Sequence, residues 1–346
     1  MRRIDLKSRK EKILGTIVET YIEEAKPLGS RTIARKLHFK FSPATIRNIM
    51  ADLEEEGYIT HPYTSAGRIP TDKGYRYYVD YLMPEEGLTP QEKKEIIQEY
   101  KTVEDISEIM DKTSRLLARL SEEAGIVVYP CLKKSRLKHI ELIDIKDNSV
   151  LMVLITYSGL IKNLILRFPH PYSRSQLEKI GNFFNAELEG VYLSEICKYL
   201  LQKRLSDDFS VYNLFKDAFS ILEEAFKKLE EERFCFEGAT QIITQPEFED
   251  RVALTKLLRL MEEKRLLLEI IAQDMEEEGI KVHIGEENNF EEAKSLSLVT
   301  TNYHVEGNTV GALGVVGPTR MAYAHIFSIV KNVSEILENI LQERRL

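Results

Sequence analysis

The segment from residue 26 to residue 55 reads KPLGSRTIARKLHFKFSPATIRNIMADLEE and contains two helix starts separated by a short turn. Ser30 can cap a helix over Arg31–Leu37, because its side-chain oxygen can accept from a free backbone N–H. Ser42 followed by Pro43 is typical of an N-cap and a first helical residue, which predicts a helix over Pro43–Glu55. Two helices joined in this way predict a helix-turn-helix motif.

The sequence on either side extends this motif. Apolar residues at spacings of three and four predict an earlier helix over Lys7–Glu24. After a glycine stop, Gly57–Thr60 and the return through Ile69 predict a β-hairpin, and Tyr75–Leu82 predicts a helix. A hairpin directly after the last helix of a helix-turn-helix is a wing. We therefore predict an N-terminal winged helix-turn-helix, in which the last helix enters the DNA major groove with its N-terminal residues.

The residue types at the start of the third helix suit base recognition. Arginine can bind guanine bidentately and asparagine can bind adenine, while alanine and threonine methyls can contact thymine. No acidic residue lies between Gly29 and Ala51, so nothing there repels phosphate. The predicted DNA-contacting residues, from the two helices and the hairpin, are Ser30, Arg31, Ser42, Ala44, Thr45, Arg47, Asn48, His61, Thr64, Ser65, Gly67 and Arg68. We expect a basic hairpin tip with Arg68 to contact the DNA backbone or minor groove, and Gly67 to let the chain approach phosphate closely. Glu54 is expected at the far end of the third helix, away from the DNA. The alternative interpretation is a three-helix bundle with a solvated polar face and an ordinary hairpin.

Charge is distributed unevenly along the 346 residues. Residues 1–83 contain 15 Lys and Arg against 11 Asp and Glu, whereas the whole chain has a net charge of −8. Because phosphate attraction is screened over roughly 10 Å, the local basic excess matters more than the total. No apolar run approaches a membrane span, and the N-terminus is not expected to be a signal peptide. The three cysteines are far apart, which indicates a reducing cytoplasm and neither a disulfide framework nor a zinc site.

The rest of the chain predicts an α+β body. Prolines, a glycine and acids in residues 84–90 indicate a linker, and Gln91–Glu123 is helical with a break near Thr102. Four strands follow, at about residues 125–129, 137–145, 149–156 and 160–168, and further strands and helices follow residue 234. The block at 171–233 is mainly helical and interrupts this pattern, which predicts an inserted module. Its phenylalanine-rich stripes could form its own core or a dimer surface.

Several long strings closely resemble the HrcA family of heat-inducible transcription repressors. The resemblance rests on these strings: residues 27–34 (PLGSRTIA), 42–48 (SPATIRN), 50–54 (MADLE), 64–76 (TSAGRIPTDKGYR), 245–248 (QPEF) with Asp250, 284–288 (IGEEN) and 311–323 (GALGVVGPTRMAY). It covers nearly the whole chain and is least distinctive between about residues 165 and 235.

The resemblance implies an α+β multidomain architecture. It consists of a winged helix (1–83), a linker (84–90), a GAF-like α+β domain (91–170 and 234–346) and an inserted dimerisation domain (171–233). It implies a homodimeric repressor that binds an inverted-repeat operator in double-stranded DNA upstream of chaperone operons, with chaperonin as a modulator. No cofactor or metal is expected. The sequence has no phosphate-binding loop or paired-histidine motif, so we do not expect an enzyme. Two alternatives remain open: a regulator whose GAF-like body senses a small molecule, and a scaffold whose winged helix binds protein.

Overall fold

The computed structural model describes residues 2–62, 67–101, 103, 105–130, 135–146, 148–157, 161–196, 198–199, 225, 234–305 and 308–343. Helices α1 (Arg2–Glu24), α2 (Ser30–Lys36) and α3 (Pro43–Glu55) come first. Apolar side chains from all three, among them Ile13, Ile33 and Ile46, are completely buried in one core. The predicted order of helices is confirmed.

A short hairpin and a helix complete the N-terminal region. Strands β1 (Ile59–Thr60) and β2 (Ile69–Pro70) pair antiparallel directly after α3. Helix α4 (Asp72–Tyr77) follows, continues as a π-helical turn over Tyr78–Leu82, and so matches the helix expected near Tyr75. Residues 83–89 have no regular secondary structure and connect this region to the next helix.

The body is built on a five-stranded antiparallel sheet in the order β7-β3-β10-β9-β8. Its strands are β3 (Ala124–Val128), β7 (Phe234–Glu237), β8 (Lys281–Ile284), β9 (Leu296–Val305) and β10 (Asn308–Pro318). Adjoining helices are α5 (Pro90–Tyr100), α6 (Ile106–Ser121), α8 (Ala239–Ile243), α9 (Arg251–Glu262), α10 (Lys264–Asp274) and α11 (Tyr323–Glu343). The expected break near Thr102 falls between α5 and α6.

Helices cover both faces of this sheet. Alternate residues of β3 face opposite layers, because successive side chains of a strand point to opposite sides. Val127 packs with residues of α6 and α11, whereas Ile126 packs with α9 and α10. The first of these cores is continuous with the core of α1–α3, so the N-terminal region packs against the body.

A second, three-stranded antiparallel sheet contains β4 (Leu137–Lys146), β5 (Ser149–Thr156) and β6 (Ile161–Arg167) in the order β4-β5-β6. Helix α7 (Arg174–Leu188) packs on one face of it, and the Asn185 amide hydrogen-bonds both the N–H and the C=O of Ile140, at 2.7 and 2.9 Å. Phe184 is buried in the core between them. This phenylalanine therefore belongs to a core and not to an exposed surface.

The strand order corrects the expected start of the inserted segment. The sequence interpretation placed strands 137–168 in the same unit as the closing strands, with the insertion beginning at residue 171. Instead β3 pairs directly with β7, so the chain leaves the five-stranded sheet after Val128 and rejoins it at Phe234. The intervening β4–β6 sheet has its own core. The excursion therefore starts near residue 129.

None of the helices in the described part of the chain combines the length and the apolar composition that a membrane span requires.

Candidate nucleic-acid interface

The start of α3 is fixed by local hydrogen bonds. The side-chain oxygen of Ser42 accepts from the Thr45 N–H at 3.1 Å and lies 2.9 Å from the Thr45 hydroxyl, while Pro43 occupies the first turn. This confirms the predicted N-cap. Ile46, Ile49, Met50 and Leu53 are buried along one side of the helix. Arg47 and Asn48 consequently face outward.

The start of α2 differs from the prediction. Ser30 is the first helical residue rather than the cap, and Gly29 occupies the N-cap position with no side-chain hydrogen bond. Ser30 remains at the surface but is half-buried. The helix still presents Arg31 to solvent, because Ile33 and Ala34 are the side chains turned into the core.

The predicted contact residues differ in how far they are exposed to solvent. Six of them are exposed: Arg31, Ser42, Ala44, Arg47, Asn48 and His61. Four are half-buried: Ser30, Thr45, Gly67 and Arg68. Thr64 and Ser65 lie outside the described residues. Among described residues, Arg47 and Asn48 make no ion pair or side-chain hydrogen bond, so both side chains can contact a ligand without breaking an internal contact.

Glu54 near the end of α3 binds two of the predicted contact residues. Its Oε2 accepts from Arg68 Nε at 2.8 Å and lies 2.6 Å from a terminal guanidinium nitrogen, and its Oε1 lies 2.6 Å from His61 Nδ1. Desolvation alone would raise the pKa of Glu54, but the hydrogen bonds from His61 and Arg68 outweigh it and lower that pKa. Glu54 therefore stays ionised and ties the hairpin to α3.

These contacts correct the expected role of Arg68. The sequence interpretation placed Arg68 at a basic tip that faces phosphate, with Glu54 at the far end of α3. In the structure Arg68 lies at the base of the hairpin, where its backbone N–H and C=O bond Leu28, each at 2.9 Å. Its guanidinium is turned toward Glu54. No local sequence pattern indicates this pair, because it joins residues 14 apart in the chain.

The need for glycine at position 67 also has a different cause from the expected one. We expected the absent side chain to allow a close approach of phosphate. A Cβ at this position would instead lie 2.6 Å from three backbone atoms of Leu28. Glycine is thus required because the hairpin crosses the segment before α2 at very short range.

The electrostatic character of this surface follows from its composition. Residues 30–51 contain no acid, and Arg31 and Arg47 project from adjacent helices. Lys36, on the other side of α2, is paired with Glu23 and Glu24 at 3.0 and 3.4 Å. Arg35 and Lys40 are also exposed and make no ion pair among the described residues, so the uncompensated positive charge extends from α2 through the turn to the start of α3. Such a face attracts phosphate, and its polar side chains can contact bases.

Comparisons with known proteins agree along nearly the whole chain. A family model described as the HrcA protein C terminal domain matches residues 107–327. The chain is 38% identical over 343 residues to "Heat-inducible transcription repressor HrcA" of Pelotomaculum thermopropionicum, covering 97% of this chain and 98% of that protein. It is 37% identical over 345 residues to the protein of the same name from Natranaerobius thermophilus, covering 99% of each.

A solved structure described as that of "a hypothetical protein" matches the fold with a TM-score of 0.63 at 24% identity, and the match covers 97% of both chains. The match supports the multidomain α+β fold. The curated relatives and the family model define the class of the protein, which is a repressor of transcription and not an enzyme. More particularly, the chain belongs to the HrcA family of heat-inducible transcription repressors.

Proposed function

We propose that residues 1–83 form a winged helix-turn-helix that binds operator DNA through the N-terminal half of α3. The observation that carries this proposal is the outward position of Arg47 and Asn48 within a segment, residues 30–51, that contains no acid, with no internal partner among described residues. In this arrangement Arg47 reads guanine and Asn48 reads adenine in the major groove. Ser42 and Arg31 contact the flanking backbone, and the hairpin held by Glu54 forms the wing.

A homodimer is the second part of the proposal. A single module of this kind buries roughly 600–1,000 Å² on DNA, and two copies on a twofold axis double the contacts and require an inverted repeat. The five-stranded unit would be the GAF-like body, and the excursion that starts near residue 129 would be the dimerisation module.

The outer face of the β4–β6 sheet is the dimer surface we propose. Across the three strands Ile143, Leu151 and Ile165 lie in one row, and Ile155 and Ile161 lie in another. Ile161 and Ile165 are 64% and 68% exposed. The face measures roughly 20 Å by 15 Å from strand spacing and rise. The row between the two apolar rows is mixed, with Glu141, Val153 and Asn163 in register. Two apolar rows of this extent can form the centre of an interface that buries about 800 Å² per partner.

We also propose that the repressed genes are heat-shock chaperone operons in the cytoplasm and that chaperonin sustains the active fold. The support is membership of a family named for heat-inducible repression, not any site described above. Physically, a marginally stable active conformation needs only about 1–2 kcal/mol of destabilisation to lose most of its population. Heat-damaged proteins that occupy the chaperonin would then relieve repression.

Gel shifts with DNA from upstream of the source organism's chaperone operon test these statements. Against a scrambled fragment of equal composition, we expect at least about a thousandfold preference, together with an affinity that falls steeply with salt. Purified chaperonin should raise operator occupancy. Equal binding to both fragments would contradict specific repression, and no salt-dependent binding at all would favour a protein-binding role. Thermal shift against a metabolite panel tests the effector-sensing alternative.

A further inference from the structure

Two sequence strings that the proposed DNA interface leaves unexplained, 284–288 and 311–323, lie against the N-terminal region. The first forms a tight 3₁₀ turn, Gly285–Glu287, beside α4. Asp72 Oδ2 accepts from the Glu286 N–H at 2.9 Å. Gly285 has a φ of +53°, and a Cβ there would lie 2.0 Å from that carboxylate oxygen, so only glycine permits this contact.

Arg76 on the same face of α4 makes the strongest contact with this turn. Its Nε donates to Glu287 Oε1 at 2.8 Å, a terminal nitrogen donates to the other carboxylate oxygen, and the same nitrogen donates to the Val282 carbonyl at 2.7 Å. Desolvation would raise the pKa of Glu287, but the hydrogen bonds from Arg76 and from the Ile284 N–H, together with the nearby positive charge, lower it, so the carboxylate stays charged. A two-pronged guanidinium–carboxylate pair constrains both distance and orientation.

A second attachment lies at the other side of the N-terminal region. Arg320, from the 311–323 string, donates to the carbonyl of Ile22 in the last turn of α1 at 2.8 Å. Carbonyls in the last turn of a helix have no intrahelical partner, so this donor fills an open position. The same guanidinium is held by Glu247 at 2.5 Å, and its side chain is only 14% exposed.

Buried tyrosines fill the space between the two attachments. The rings of Tyr75 and Tyr323 lie 5.9 Å apart, and the two side chains are 2% and 0% exposed. Apolar burial of this kind is non-directional, so it holds the two parts together without selecting one rotation. The Arg76–Glu287 pair on α4 and the Arg320 hydrogen bond to the end of α1 are directional contacts, and they attach different helices to the body.

We propose that the Arg76–Glu287 pair and the contact of Arg320 with the Ile22 carbonyl, in which Glu247 holds the Arg320 guanidinium, are positioning contacts that set the orientation of the N-terminal region on the body. Their effect on DNA rests on the function proposed above. In a dimer joined through the body, this orientation fixes the distance and angle between the two α3 helices. The repressor then accepts one spacing between half-sites, and loosening the contacts relaxes that choice while each α3 still reads its half-site.

The test uses the full chain with Glu287→Gln and Glu247→Gln, singly and together. Glu286→Gln is the matched control, because that neighbouring carboxylate is 72% exposed and pairs with Lys294 instead. The first measurement is the distance between spin labels at the exposed positions Ala51 and Glu335, with the native cysteines replaced and labelled protein diluted in unlabelled protein. We expect a broader distance distribution in the double variant and an unchanged one in the control. An unchanged distribution in the double variant would overturn the proposal.

The second measurement is affinity for a single half-site and for operators of varied spacing. We expect half-site affinity to stay within about twofold, while the preference for the best spacing falls from about tenfold or more to threefold or less. If the double variant binds the half-site normally and keeps the wild-type preference for one spacing, the positioning proposal is also overturned. If no protein binds DNA, the proposed function fails, and the label distances still decide the positioning role. The single variants serve if the double variant does not fold.

Discussion

Arg47 is the residue on which the proposed base recognition rests, because it is exposed at the start of α3 and has no described partner that would hold it elsewhere. We expect Arg47→Ala to lose about 1–3 kcal/mol on specific DNA and to relax preference at one position per half-site. Arg259→Ala, an exposed arginine on α9, is the control and should change nothing. Equal loss on specific and scrambled DNA would remove the base-reading role.

Substitution of Glu54 should affect DNA affinity in two opposite ways, through its charge and through its contacts with the hairpin. Glu54→Gln removes a negative charge near the interface, which by itself should strengthen phosphate binding. We nevertheless expect specific affinity to fall about tenfold, because the hairpin loses the charged hydrogen bonds from His61 and Arg68. Glu55→Gln, at the exposed neighbour, should bind slightly more tightly. Fluorescence anisotropy on both variants separates the effects, and a gain with Glu54→Gln would contradict the account.

Glu123 is a buried carboxyl group whose titration should change the free energy of unfolding with pH. Desolvation raises its pKa to about 8, against the lowering effects of the Gln245 hydrogen bond and of Arg320. Because the folded state holds this proton more tightly than the unfolded state, wild-type stability should fall as pH rises from about 4.5 to 8, by at most about 1.4 kcal/mol per unit. Glu123→Gln should lack this loss and be more stable than wild type at pH 8.

Urea unfolding at pH 5, 6, 7 and 8 checks the Glu123 prediction, with the exposed Glu122→Gln as control. The control should keep the wild-type pH profile. A Glu123→Gln variant that is less stable than wild type at pH 8, or whose profile parallels wild type, would show that the buried group carries a charge at neutral pH.

At the scale of elements, the outer face of β4–β6 has a consequence for assembly. Ile165→Glu places a charge in the proposed dimer surface, so we expect dimer dissociation to become at least about tenfold easier. Monomer stability should change little, because Ile165 is 68% exposed. Leu258→Glu, at a 42% exposed aliphatic residue on α9, is the control. Sedimentation velocity measures both, and an unaltered dimer in Ile165→Glu would exclude this face.

Elements with local signals were predictable from sequence. The bounds of α3 match the prediction because a serine cap, a proline and a three-four apolar spacing all act within the segment. The partners of β4–β6 were not predictable, because strand alternation shows which side chains share a face but not which strands pair. The α3 face was predictable for the same local reason. The Arg68–Glu54 pair was not, since it joins residues 14 apart through tertiary packing.

At the scale of the whole molecule, the N-terminal region and the body share one continuous core and are joined by the Arg76–Glu287 ion pair and by the Arg320 hydrogen bond to the Ile22 carbonyl. Sequence patterns identified both regions but did not indicate this attachment, because its partners are more than 200 residues apart. In the proposed dimer, a rigid attachment on a twofold axis makes the spacing of the two α3 helices a property of the entire assembly. The symmetry and half-site spacing of the bound DNA sequence therefore report on the geometry of the whole assembly.

Selection of bound sequences from a random duplex library by the full-length chain measures that symmetry. We predict enrichment of one inverted repeat with a single spacing between its halves. A parallel selection with Arg47→Ala should enrich the same repeat but lose base preference at one position in each half. Enrichment of a sequence without symmetry, or an Arg47→Ala profile identical to wild type, would contradict recognition by paired α3 helices.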